Sequence, residues 1–153
     1  VDHIIPHSKG GKTVIDNAQL THRSCAARNY TRLVEGTIGD NGLPEAQILL
    51  NVGHIAAAGA TAGLVLERHL KLLCNQQQPP LIFGKNDGIS KVNDLLRKAD
   101  IYDTAQWRQV QWMADVRNSC DHPGTNPPTR DNVDDLIKMV KSLLTTFPLT
   151  FNA

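Results

Sequence analysis

"TRDNVDDLIKMVKSLL", Thr129 to Leu144, is the stretch from which the fold is read. Val133, Leu136, Ile137, Val140, Leu143 and Leu144 recur three and four residues apart, so in a helix they share one apolar stripe. Asp131, Asp134 and Asp135 lie near the positive end of the helix dipole, and Lys138 and Lys141 lie towards the other end. Thr129 follows two prolines and is placed to cap the first turn. A helix with one wet face and one apolar face needs neighbours, and the chain upstream offers them.

"DHPGTNPPT", Asp121 to Thr129, is a rigid loop. Before it, Asp103-Thr104 caps a helix running to about Asn118, with Trp107, Val110 and Ala114 on its inner face. Ile89 to Ala99 predicts a short amphipathic helix, and "NQQQPPLIFGKNDG" interrupts the helical pattern ahead of it. Residues 44 to 75 are rich in Ala and Leu, with Leu66, Leu70 and Leu73 at helical spacing. Gly53, Gly59 and Gly63 there mark a break or a close helix contact. The sum is a mainly α chain with a four- to five-helix bundle over residues 45–153.

"EGTIGDNGLP", Glu35 to Pro44, concentrates turn formers, and residues 37–44 are read as a linker. Residues 1–36 have a different texture. Two short apolar stretches, Val1 to Ile5 and Val14 to Leu20, flank Gly10-Gly11 and predict strand, turn and strand, then a helix from about Ser24.

A chain of 153 residues with 41% apolar side chains suits one ordinary domain or two small ones, and general disorder is excluded. Formal charge is only +1, so nucleic-acid binding has to come from a local basic patch. Cys25, Cys74 and Cys120 form no CxxC pair, which argues against a disulfide framework and for a reducing cytoplasm. No apolar run approaches the roughly 20 residues that span a bilayer, so no membrane partner is expected. The sequence opens at Val1 directly on a motif, which predicts a fragment of a longer protein.

That motif is "VDHIIPHSKGGKTVIDNAQLTHRSC". A hard divalent cation needs oxygen ligands, and phosphodiester hydrolysis needs a base for water. Adjacent Asp2 and His3 supply these separately, because neighbours on a strand point to opposite faces. Lys9, Lys12, Arg23, Arg28 and Arg32 add a basic set suited to phosphates, or else a solvated face. His7 reads as a surface residue.

In "DHIIPHSKGG", "DNAQL" and "HRSC" the segment resembles the HNH endonuclease (ββα-metal) family. The resemblance implies His3 as general base, Asp2 as a ligand to Mg²⁺ or Mn²⁺, Asn17 as the residue that orients the base or buttresses the metal loop, and DNA as substrate. It implies for His22 a phosphate or structural contact. The family carries its second metal ligand, His or Asn, directly after the Cys, and Ala26 stands there. A methyl group cannot coordinate a cation, so impaired catalysis is expected. Asn29, nearly one turn further on, replaces it only if the register shifts.

"VRNSCDHPG", Val116 to Gly124, holds the second candidate site. An Arg and a His can cleave RNA without metal, the His moving the 2′-OH proton and the guanidinium stabilising the phosphorane. Arg117, four residues and His122, near the end of the penultimate helix, resemble the R-x4–6-H motif of the HEPN family, whose bundles form homodimers. The resemblance implies a metal-independent ribonuclease centred on Arg117 and His122; the alternative is a non-catalytic module for dimerisation or partner binding, with both residues capping a helix end. Trp107 and Trp112 read as packing residues, and His54 and His69 as helix-face residues. An HNH nuclease module beside a HEPN-like bundle resembles prokaryotic defence proteins directed at phage or plasmids.

Overall fold

The computed structural model describes strand backbone at residues 2–3 and 18–19 and the chain from 42 to 150. Its contacts fall into two units, Val1–Ile38 and Gly39–Ala153. In the first, β1 (Asp2–His3) pairs antiparallel with β2 (Ala18–Gln19), Asp2 opposite Gln19 and His3 opposite Ala18. Both pieces fall inside the two apolar stretches read from the sequence. The helix expected from Ser24 lies outside the described residues.

The second unit is helical, with α1 (Leu43–Asn51), α2 (Ile55–Gln76), α3 (Ile89–Lys98), α4 (Thr104–Asp121) and α5 (Arg130–Thr146). The continuous pattern over residues 44 to 75 is thus two helices. Gly53, at φ +89°, takes a left-handed conformation that glycine adopts without steric cost. The N–H groups of Gly53 and His54 donate to the carbonyls of Leu50 and Leu49, closing α1 before α2 begins. Pro44 stands in the first turn of α1, where a missing N–H costs nothing.

The 22-residue α2 is the central element and packs against all four other helices. Leu66 and Leu70 from α2, Leu50 from α1, Leu96 from α3, Met113 from α4, and Leu136 and Leu143 from α5 meet fully buried. Each contributes roughly 1.5–3 kcal/mol by leaving water. The α5 stripe is buried at Val133, Leu136, Ile137, Val140 and Leu143, whereas Leu144, one helical step off its axis, is half-buried.

Gly59 and Gly63 form a notch on α2. A Cβ on Gly59 would stand 2.2 Å from Cys120 Sγ, and one on Gly63 2.0 Å from Arg117 Cγ. The absence of two side chains is what lets α4 approach.

The core also holds a polar knot. Asn93 of α3 is 0% exposed; its amide donates to the Trp107 carbonyl at 3.0 Å and its side-chain oxygen accepts from the Tyr102 hydroxyl. With its partners satisfied, a buried amide costs little and fixes α3 against α4 in one register. Trp107, read as an inner-face residue, is half-buried, with its indole N–H donating to Asp94 Oδ1 at 2.8 Å.

Caps sit where the sequence predicts them. The Asp103 carboxylate accepts from the Gln106 N–H at 2.8 Å, and Thr129 Oγ1 accepts from the Asn132 N–H at 3.1 Å. Helix α4 runs one turn past the expected Asn118, because Cys120 is buried in the Gly59 notch and Asp121 pairs back onto Arg117. Among the described residues no helix is long and apolar enough to cross a membrane.

Candidate functional site

In the first unit, β1 carries Asp2 and His3 as consecutive residues, and β2 begins directly after Asn17 in sequence. Antiparallel pairing of His3 with Ala18 is the frame on which the Asp-His pair stands. Asn17, His22, Ala26 and Asn29 lie outside the described residues.

The chemistry of the donor set decides how a divalent ion suits these residues. Mg²⁺ or Mn²⁺ takes oxygen donors, and bound there it would offset charge on the leaving oxygen. Asp2 offers a carboxylate, while position 26 offers only a methyl group. The residues present are therefore one side chain short of the set that the ββα-metal resemblance implies.

The second unit places Arg117 inside α4 and His122 just beyond its end. The Arg117 stem lies along Gly63 of α2. Its Nε is 3.0 Å from Asp121 Oδ2, and its Nη2 is 3.8 Å from Glu67 Oε2. The Nε contact is ionic, since this buried N–H has no aligned acceptor. Glu67 in turn holds Lys71 at 2.6 Å. The Arg117 charge thus faces two carboxylates, one on its own helix and one on α2.

His122 is exposed, and its backbone N–H donates to the Asn118 carbonyl. Among the described residues no hydrogen bond or ion pair joins it to Arg117. Glu67 is the partner that sequence reasoning missed. Its spacing from Lys71 is visible as a helical ion pair, but its link to Arg117 spans 50 residues and leaves no local signal.

Burial pushes Cys120 up to about 11, with the neighbouring Asp121 carboxylate acting in the same direction, so it stays protonated near neutral pH. Cys74 is likewise pushed up to about 11 by burial. Among the described residues no group of three or more His, Cys, Asp or Glu could hold a metal ion.

Charge separates the two units. Residues 1–38 hold five Lys and Arg against three Asp and Glu, whereas residues 39–153 hold 11 against 12. The net positive charge, which favours a polyanion, therefore lies in the first unit.

No curated protein and no solved structure matches the chain. Residues 1–32 match the family described as HNH endonuclease, on the segment that carries Asp2, His3, Asn17 and Ala26. This match points to a nuclease acting on nucleic acid, with its signature confined to 32 of the 153 residues.

Proposed function

We propose that the N-terminal module is an HNH endonuclease that hydrolyses DNA phosphodiester bonds in a prokaryotic anti-phage or anti-plasmid protein, and that Ala26 disables its metal site in this chain. The family match over residues 1–32 carries this reading. His3 accepts the proton of the attacking water on its neutral imidazole as the oxygen bonds to phosphorus and the P–O bond to the leaving oxygen breaks. Asp2, the adjacent residue on β1, keeps its carboxylate for the cation. Asn17 orients the base or the metal loop. Lys9, Lys12, Arg23, Arg28 and Arg32 hold the phosphate backbone without reading its sequence.

Our reading of the helical unit is a module for dimerisation or partner binding. The pairing of Arg117 with Glu67 and Asp121 supports it over ribonuclease chemistry at Arg117 and His122, because that chemistry needs a guanidinium free to meet a phosphorane.

Restoring a ligand tests the proposal. Ala26→Asn is expected to give DNA cleavage in Mg²⁺ or Mn²⁺ that EDTA abolishes. An Ala26→Asn chain that binds the metal and leaves DNA intact would overturn it. RNA cleavage that survives EDTA and leaves 2′,3′-cyclic phosphate ends would return the chemistry to Arg117 and His122.

A further inference from the structure

The segment that follows α5 crosses back over α2. Nε2 of His69, on α2, lies 2.8 Å from the backbone carbonyl of Phe147. Two helical turns further along α2, the Gln76 amide donates to the Thr150 carbonyl at 3.1 Å. The Phe147 ring stands edge-on to Tyr102, with centroids 5.5 Å apart. Residues 147–150 are therefore fastened at both ends to one face of α2, and through the Phe147 ring to the connector between α3 and α4.

A carbonyl oxygen only accepts, so the His69 proton sits on Nε2 and Nδ1 is bare. Charging the ring means placing a second proton on a residue that is 6% exposed. We infer that Phe147–Thr150 is a strap closed over α2 by neutral His69, and that protonation of His69 releases it.

The electrostatics point the same way. Burial lowers the His69 pKa from its ordinary 6.5, and the Phe147 carbonyl offsets this only in part. Among the described residues no charged side chain acts on the ring, and the Phe147 carbonyl is its hydrogen-bond partner; the Tyr102 hydroxyl, on the connector, is bonded to Asn93. A pKa lowered in the closed form means that closure is fully stable above 6.5 and weakens as the pH falls below it. Lifting the strap admits water to the ring, so the proton is bound by the open form.

The test is NMR on the full chain between about pH 7.5 and about pH 5.5, the range in which a histidine can switch. Nuclear Overhauser contacts between the Phe147 and Tyr102 rings are expected to be lost in step with titration of the His69 ring. His69→Gln keeps an N–H donor for the Phe147 carbonyl and cannot titrate, so its ring contacts should persist throughout. Ring contacts that persist over a charged His69, or that are lost equally in His69→Gln, would overturn the inference. If that variant does not fold, the wild-type comparison decides alone: a midpoint for loss of the ring contacts that differs from the His69 midpoint rejects the switch.

Discussion

Residues 1–38 place an Asp-His pair, a Gly-Gly pair, an Asn and five basic side chains in a short sequence, whereas residues 39–153 spread a balanced set of charges over five helices. In the first region, residue order carries the chemistry. In the second, the interactions that matter join positions far apart in sequence, such as Glu67 with Arg117 and His69 with Phe147. A local signature can match a nuclease family within 32 residues. Nothing so local identifies what a bundle of ordinary amphipathic helices does.

The largest effect expected from this contrast is on cleavage. In an Ala26→Asn chain, His3→Ala should lower DNA hydrolysis by roughly 10²–10⁴-fold, the range for loss of a general base. Arg117→Ala and His122→Ala, made in the same background, should leave that rate unchanged. Single-turnover assays on plasmid DNA read both. Equal losses from the two regions would break the separation.

Next comes stability, and here the bundle is the sensitive region. Gly63→Ala places a methyl group 2.0 Å from Arg117 Cγ and 2.9 Å from its Cβ, and the Cβ is fixed by the α4 backbone. Overpacking of this kind costs about 1–3 kcal/mol, partly offset by the about 1 kcal/mol that Ala gains over Gly within a helix. Gly59→Ala meets the end of the Cys120 side chain, so its cost should be the smaller. Chemical denaturation of both variants checks the ranking. Adding Arg117→Ala to Gly63→Ala should recover part of the loss, which a general helix defect would not allow.

The same contrast explains which features are legible in the sequence. The α5 stripe and the caps at Asp103 and Thr129 depend on residues within one or two turns, and spacing reveals them. Gly53, Gly59 and Gly63 are recognisable together as a break or a close contact, but which of them breaks the helix, and what approaches the others, is not. His69 reads as an ordinary helix-face residue, because its acceptor is 78 positions away. Asn93 gives no sign that it will be buried, since its partners Tyr102 and Trp107 reach it only after α3 and α4 pack. On the N-terminal side, the identities of Asp2, His3 and Ala26 are legible as a pattern, and the antiparallel pairing of residues 2–3 with 18–19 supplies a backbone frame for the first two.

A smaller change tests how locally α5 is defined. Thr129→Ala removes the side chain that receives the Asn132 N–H and should cost about 1 kcal/mol. Thr129→Ser, which keeps the hydroxyl, should recover most of it. A loss shared by both variants would show that packing of the threonine methyl, rather than capping, starts the helix.

The smallest expected effect is the most direct check on the division of charge. Nucleic acid releases counterions when cations meet its phosphates, so removing one phosphate-bound cation lowers the salt slope of binding by about 0.9. Arg28→Ala and Lys12→Ala, in the basic set of the first unit, should each flatten the slope measured in binding titrations against duplex DNA. Arg108→Ala on α4 and Lys138→Ala on α5 should leave it unchanged, because residues 39–153 carry no excess of positive charge to hold a polyanion. Arg108 is exposed, and Lys138 already faces Asp134 at 2.5 Å. If both bundle variants flattened the slope as much as Arg28→Ala, DNA would be tracking across the helices, and the local cation pattern rather than the net charge of each unit would set the binding path.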